Sequence, residues 1–460
     1  MNLLSEKLFS ALLRHLHEKR PETERNYKLF LSVYNFLSQR FPGILSRWRR
    51  KAYYAAWYLA EDKAMQAIMQ RYLDYSKAFK KKNGFEDINI CGGNENIFTI
   101  AYNLNAFLDT HIKSKILDGR NEKIAVLIKD ADLNRIQNQV LLRYWSKYIE
   151  IQKEDPKNLF FERDDSPVFS DFCWAAEIQN RAVYIEYAKC EIQEKWEESK
   201  RKPLLKTEDR EMEVGINTMK KLGLPEGSWF VSLHVRDSGY YKDTAGAAEM
   251  DNYRDADIDA YYGAIKAITS KGGYVVRVGD PKMKTINKMD GLIDYAHSEL
   301  RSNACDIYLF SQCRFFLGTS SGPILNPFLF GVPVLGTNYA PLAGRLHASD
   351  SLLTQKLVWS EDEKRFLTYK EVLSSKIGIS WSTHRYKNLR LKLIDNSDED
   401  ITLATTEMME RLEGRVQDTE KDQKLQRQIN SMYKKYSGYG AMGRIAKSFL
   451  EKADKLGLLQ

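Results

Sequence analysis

From Trp229 to Asn338 the chain repeats one unit: a short apolar run, a small polar turn, then an amphipathic stretch. The apolar runs are "WFVSLHV", "YVVRVGDP", "CRFFLG" and "VPVLGTN". Each is short enough for a strand, and they run into or close on Arg236, Gly279-Asp280, Gly318 and Asn338. Between the first two, Ile258, Tyr261, Tyr262, Ile265 and Ile268 form one helical stripe that Asp255 or Asp257 can cap and Gly272-Gly273 can end. "CDIYLFSQ" reads as the helix before "CRFFLG", and "TSSGP" as the opening of another. Strand and helix in strict alternation predict a parallel, doubly wound α/β sheet.

The same texture begins earlier. "INICGG" and "EKIAVLI" read as strands, "NENIFTIAYNLNAFLDTHIKS" as a helix between them, and "LNRIQNQVLLRYWSKYI" as an amphipathic stretch. Residues 1–82 read as helices, with Leu8, Leu12 and Leu13, then Phe30, Val33, Tyr34 and Leu37, at helical spacing. Residues 183–222 are charged and helical, stopped by Gly223 and Pro225, and the segment after Lys364 is mixed with helices. The expected organisation is a basic helical extension (1–85), a first α/β domain (86–222), a second α/β domain of Rossmann type (223–380) and a C-terminal helical region (381–460). A chain of 460 residues is long enough for that many cores.

Charge is unevenly spread. The chain carries +8, but residues 1–85 alone hold 17 Lys or Arg against 7 Asp or Glu. The remainder is therefore slightly acidic, which argues against a nucleic-acid-binding protein. "LSRWRRKAYYAAWYLA", with Trp48, Tyr53, Tyr54 and Trp57 among its cations, could lie on an anionic membrane face, or could be the solvated side of an ordinary helical domain. No apolar run is long enough to span a bilayer, and the N-terminal stretch lacks the apolar core of a secretory signal. Five cysteines without a CxxC pair suit a reducing compartment and argue against structural zinc. The expected location is cytoplasmic, with peripheral contact at the membrane's inner face.

In an open parallel sheet, ligands sit beyond the carboxyl ends of the strands. Three such ends carry chemistry: His234-Val235-Arg236-Asp237, Gly279-Asp280 and Gly318-Thr319-Ser320-Ser321-Gly322. The last is a small-residue loop entering a helix, whose hydroxyls and free N–H groups would seat a phosphate; a plain capped helix start explains it as well. Arg236 can make paired bonds to phosphate or form a salt bridge with Asp237 or Asp255. His234 reads as orienting the loop. Asp237 and Asp243 are candidate bases. "DADID" at Asp255 lacks the Gly and Glu of a calcium loop and stays a helix cap. Asp130 and Asp132, directly after "IAVLI", form an Asp-x-Asp that could hold a divalent cation, or simply a turn.

"WFVSLHVRDSGYY", "NYRDADIDAY", "GGYVVRVGDP", "DYAHSELRSNACDIYLFSQCRFFLGTSSG" and "GVPVLGTN" together resemble bacterial surface-polysaccharide glycosyltransferases. The resemblance continues weakly through "LIDNSDEDITLATTEMMERL" and "GRIAKSFL", and covers about residues 225–455. The spacing of His-x-Arg, strand Asp and Ser-Ser is similar to the wider fucosyltransferase-like group. That resemblance implies two Rossmann-like domains facing a cleft (the GT-B type). It implies transfer of a hexosyl or deoxyhexosyl group from a nucleoside-diphosphate sugar, GDP-linked in the wider group, to a glycan or lipid-linked acceptor. Arg236 and the Thr319–Gly322 loop would hold the donor diphosphate, Asp280 would lie near the base, and His234, His297 and Gly318 would line the substrate site. No metal or other cofactor is expected. The alternatives are a metal-dependent transferase using Asp130 and Asp132, and a non-catalytic nucleotide- or glycan-binding protein.

Overall fold

The computed structural model describes the chain apart from residues 1–2, 19–23, 42–47, 50, 54, 57–58, 60–61, 85, 87, 93–100, 129–135, 137, 153–174, 179–180, 242–251, 376, 381 and 434–439. Asp130, Asp132 and Asp243 lie outside the described residues, as do Tyr54 and Trp57. The chain forms two compact units, residues 1–137 with 145–188, and residues 138–144 with 189–460.

In the first unit, helices α1 (Leu3–Glu18), α2 (Glu24–Ser38) and α3 (Asp62–Asn83) gather an apolar core. Its members include Leu13, Leu16, Phe30, Tyr34, Leu37, Ile68 and Tyr72. The second helical stripe is therefore the core stripe expected, but the first is rotated: Leu13 is buried, while Leu8 and Leu12 point outward at 66% and 44% exposure. Trp48 is also core. It is 3% exposed, donates its indole N–H to Ser10 Oγ at 3.3 Å and meets the Phe30 ring edge-on. Three parallel strands follow, in the order β1 (Ile88–Gly92), β2 (Lys123–Leu127), β3 (Glu150–Gln152), with α4 (Ala101–Leu117) linking the first two. Ile124, Ala125 and Val126 are buried, as a short apolar run between two neighbouring strands requires. Strands β4 (Ala175–Ile178) and β5 (Arg181–Tyr184) pair antiparallel, and the Ala182 carbonyl accepts from Gln66 of α3.

The second unit is a seven-stranded sheet. In chain order its strands are β6 (Phe230–His234), β7 (Tyr274–Arg277), β8 (Leu292–Asp294), β9 (Phe316–Gly318), β10 (Val334–Tyr339), β11 (Leu352–Gln355) and β15 (Arg444–Ile445). Their spatial order is β15-β11-β10-β9-β6-β7-β8, and every neighbour pair is parallel. The chain walks outward from β6 to β8, then returns to β6's other side and walks outward again. The reversal lies between β6 and β9, where the connections leave in opposite directions and open a crevice at the carboxyl ends. The expected doubly wound sheet is thus present, with three strands more than the four apolar runs named above. A small antiparallel sheet of β12 (Leu357–Ser360), β13 (Arg365–Phe366) and β14 (Leu391–Ile394) hangs beyond β11.

Two expected boundaries move. The second unit takes in residues 138–144 and 189–222 ahead of 223, with the helix Asp209–Lys221 packed on the helix Asn303–Gln312 that precedes β9. The region 381–460 is not separate: it belongs to this unit, supplies β15 and packs the helix Asp398–Leu412 on the one at Tyr262–Thr269. Near-contact of the first helix pair is possible only because position 215 is glycine. A Cβ there would lie 2.0 Å from Tyr308 Cγ and 2.3 Å from its Cβ. Gly215→Ala should therefore destabilise the protein by about 1–3 kcal/mol through overpacking, read as a lowered midpoint in urea unfolding; an unchanged midpoint would show that the two helices can part without cost.

Candidate functional site

The crevice is built where β6 and β9 lie side by side. Their register sets His234 opposite Gly318, so the chain segments that leave the two strands start level. Two hydrogen bonds then lock them together. Thr319 N–H donates to the His234 carbonyl at 3.1 Å, and Arg236 N–H donates to Thr319 Oγ1 at 2.9 Å. The second bond spends the Thr319 hydroxyl's lone pair on backbone. Gly318 is required by the close approach: a Cβ would come within 2.7 Å of the Phe316 ring and 2.9 Å of the His234 carbonyl oxygen.

His234 is buried, and its Nδ1 donates to the Val278 carbonyl at 3.1 Å. Burial lowers its pKa to about 4, so the ring is neutral at pH 7. It ties the end of β6 to the end of β7, which is the orienting role expected of it. Gly279 follows at φ 155, where a Cβ would be strained and would meet Met283 Sδ at 2.8 Å. Asp280 accepts the Lys282 N–H at 2.9 Å in an exposed turn beside it. His297 stands apart from the β6–β9 loops, where Nδ1 faces Asp294 Oδ2 at 2.8 Å and Nε2 faces the Met283 carbonyl at 3.1 Å. Asp294 also pairs with buried Arg277 at 3.4 Å, so His297 belongs to a polar lock at the ends of β7 and β8.

The serines are engaged differently from what the phosphate-seat reading requires. Ser320 Oγ donates to the Ala340 carbonyl at 2.6 Å from a buried position, tying the loop to the end of β10. Ser321 Oγ donates to the Thr319 carbonyl at 3.1 Å. The helix after Gly322 is also much shorter than expected: one 3₁₀ turn, Pro323–Leu325, then Asn326–Leu329. Such a fragment lacks the aligned peptide run on which a helix field depends. Gly322 itself precedes it with helical φ and ψ and no side-chain cap.

Charge at this rim is concentrated in residues the sequence motifs only partly marked. Arg236 is 8% exposed on its side chain, and its Nη1 bonds Asp255 Oδ1. Asp255 is held in place because Ala256 N–H donates to the Arg236 carbonyl at 3.0 Å. The helix cap is Asp257, whose Oδ1 accepts the Asp259 N–H, leaving Asp255 for the salt bridge. Lys356, at the end of β11, is 3% exposed; its Nζ donates to the Asp255 carbonyl at 2.6 Å and pairs with Asp395 at 2.7 Å. Asp395 is placed by its neighbour Asn396. Asn338 N–H donates to Asn396 Oδ1 at 2.7 Å and Asn396 N–H to Asn338 Oδ1 at 2.6 Å, with Asn338 at φ 50, a conformation Asn tolerates. Burial raises the Asp255 carboxyl to about 6, against the pull of Arg236 and Lys356. Asp237 is tied to backbone at both oxygens: Oδ1 takes the Gly239 N–H at 2.7 Å and Oδ2 the Lys284 N–H at 2.8 Å.

Lys356 and Asp395 had no motif to announce them. The one available signal was a Lys inside "LLTQKLVW", where an apolar neighbourhood leaves a cation buried unless it has partners.

Among solved structures, the chain is similar to a glycosyl transferase family 9 protein from Veillonella parvula, at 10% identity over 70% of this chain and 97% of that one, TM-score 0.41. It is similar to ADP-heptose LPS heptosyltransferase II of E. coli at 10% identity over 59% and 90%, TM-score 0.32. It is also similar to the dodecameric iron-containing heptosyltransferase TibC, from enterotoxigenic E. coli, in complex with ADP-D-β-D-heptose, at 11% identity over 72% and 76%, TM-score 0.33. No family model and no curated protein matches the chain. Overlaps this loose assign no activity, and the functional reading rests on the rim itself.

The bonds of the two serines give opposite expectations. Ser320→Ala leaves the buried Ala340 carbonyl without its donor and should cost about 1–2 kcal/mol in urea unfolding. Ser321→Ala should cost less than about 0.5 kcal/mol, the usual range for a change away from buried polar groups. Equal effects would mean that the Ser320–Ala340 bond does not hold the loop.

Proposed function

We propose that this protein is a glycosyltransferase of the two-Rossmann type, taking a sugar from a nucleoside-diphosphate donor without a metal ion. The observation that carries the reading is the meeting of the His234–Arg236 segment and the Gly318–Thr319 loop at the sheet's reversal point, joined by the Arg236–Thr319 hydrogen bond. A buried guanidinium at that place in a doubly wound sheet suits a diphosphate, since Arg presents five donors in a fixed fork and keeps its charge at every physiological pH. As the anomeric carbon–oxygen bond breaks, negative charge collects on the leaving diphosphate. Arg236 and Lys356, both held in place beforehand by their partners, would stabilise that charge with little reorganisation. This replaces a helix dipole and serine hydroxyls as the source of stabilisation. The donor as a GDP-linked sugar, the fucosyltransferase-like kinship, and an acceptor that is a glycan or a lipid-linked saccharide of a bacterial surface polysaccharide belong to the proposal on the strength of the sequence resemblance.

The test is direct. A thermal-shift series with GDP, ADP and UDP should raise the wild-type melting temperature with at least one of them. Arg236→Lys keeps the charge but loses the fork, and should lower donor turnover by roughly 10²–10³-fold while leaving the melting temperature without ligand nearly unchanged. Turnover should persist in excess EDTA. Loss of activity to the chelator, restored by a divalent cation, would favour the Asp130–Asp132 reading; stabilisation by a nucleotide with no donor turnover would favour a binding protein.

The proposal includes contact with an anionic membrane surface from the cytoplasmic side. Among the described residues no helix is long and apolar enough to cross a membrane. Trp48 is committed to the core, so the contact falls instead to α1 and α2. They expose Leu8, Leu12, Leu29 and Phe36 beside exposed Lys7, Arg14, Arg25, Lys28 and Arg40, the guanidinium of Arg40 lying 3.9 Å from the Phe36 ring centroid. Apolar side chains among cations are what an anionic interface binds. The protein should sediment with anionic vesicles, less so at high salt, and Leu8→Glu with Phe36→Glu should abolish it; sedimentation that ignores both changes removes α1 and α2 as the contact.

A further inference from the structure

We propose that Asp255 is the general base of the transfer reaction, with Arg236 as the group that orients it. This rests on the glycosyltransferase reading above. The geometry separates Asp255 from the other rim carboxylates. Both oxygens of Asp237 accept backbone N–H groups, which commits it to holding the loop. Asp280 closes its own exposed turn on Lys282. Asp395 is 43% exposed and engages Lys356. Asp255 alone among these four combines a partly buried position, 20% exposed, with an oxygen held by the diphosphate-binding arginine. Its second oxygen, Oδ2, makes no hydrogen bond to the described residues and is not enclosed.

That arrangement meets what a base for this chemistry needs. The acceptor hydroxyl must approach the anomeric carbon, and that carbon is one bond from the phosphate oxygen that Arg236 would hold. A carboxylate fixed to the same guanidinium lies next to the reacting centre. In the step, the acceptor oxygen bonds to the anomeric carbon as the bond from that carbon to the phosphate oxygen breaks. The electron pair stays on the nucleoside diphosphate. The hydroxyl proton passes to Asp255 Oδ2 and from there to solvent. The charged groups that face Asp255 are Arg236 on the loop after β6, Arg254 beside it, Lys356 at the end of β11 and Asp237 across the loop. Burial outweighs the cations and raises its proton affinity, to a pKa of about 6. Such a group is ionised at pH 7 yet holds a proton better than an ordinary carboxylate, which suits base catalysis near neutral pH.

The experiment uses the full-length enzyme and a panel of GDP-, ADP- and UDP-linked hexoses, reading release of nucleoside diphosphate with water as the acceptor. Asp255→Asn preserves shape and should lower kcat by roughly 10²–10⁴-fold, the usual contribution of a positioned base. Stabilisation by the free nucleoside diphosphate should be retained, because Arg236 and Lys356 remain. Wild-type kcat should fall as pH drops through about 6, since the base must be ionised; this acid limb should vanish in Asp255→Asn. Asp255→Glu, which keeps a carboxylate, should recover part of the rate and the limb, and guards against a folding defect in the amide variant. Asp255→Asn with near-normal kcat, or with kcat kept and nucleotide affinity lost, would make Asp255 a counter-ion only and overturn the proposal. Failure of the wild type to release nucleoside diphosphate from any donor would overturn the transferase reading itself and this proposal with it.

Discussion

The second unit depends on the pairing of β6 with β9. Parallel strands must be joined by long crossovers, and because these are right-handed the direction in which the chain steps along the sheet sets the face on which each connection lies. The chain reverses that direction once, by returning across β6 to lay down β9, and the crevice follows from the reversal. Small residues and backbone bonds, rather than large side chains, set the spacing of the loops there. Gly318 admits the His234 carbonyl at a distance a Cβ would forbid, and Gly279 takes a φ that favours glycine. Thr319 ties both loops, with its N–H to His234 and its hydroxyl to Arg236. Loops fixed this way can present a charged group without rearrangement, which is the condition for electrostatic stabilisation of a transition state.

Holding Arg236 and Lys356 beneath the surface carries a desolvation cost, and the surrounding residues offset it in pairs. Asp255 bonds Arg236, its main-chain oxygen accepts from Lys356, and Asp395 balances Lys356. Burial still wins at Asp255, whose carboxyl holds its proton more tightly than a free one. It also wins at His234, whose ring stays neutral. The rim is therefore a nearly balanced set of charges in a low-dielectric setting, where the arrival of one diphosphate would change every pairwise interaction. The asparagine pair Asn338 and Asn396 extends the same logic into the framework: each backbone N–H meets the other's side-chain carbonyl, which fixes the residue next to Asp395 where Asp395 pairs with Lys356.

Much of this was legible in the residues. Alternating apolar runs and amphipathic stretches specify strands and helices because burial of a one-sided pattern is the strongest local demand on the chain, and β6, β7, β9 and β10 lie where those runs placed them. The arrival of His234, Arg236, Gly318 and Thr319 at one rim followed from strand ends pointing the same way. Local pattern does not reach further than its own turn. It could not tell that Ser320 would be spent on Ala340, twenty residues away, or that the helix after Gly322 would last only two turns. It could not separate Asp255 from Asp257 as the cap, because both sit before the same helix and only the bond from Ala256 to Arg236 decides between them. Helical spacing in α1 likewise fits two faces, and packing against α2 selected the one with Leu13 and left Leu8 outside.

The sequence by itself determined the alternation, the parallel sense of the sheet and the identity of the strand-end residues, because these depend on patterns within about ten neighbours. The tertiary structure alone decided which carboxylate meets Arg236, that Lys356 joins it from β11, and that Ser320 ties its loop to the end of β10. Those contacts join residues about 20 to 100 positions apart, and a hydrogen bond or a salt bridge has no sequence signature until the fold has brought its two ends within 3 Å.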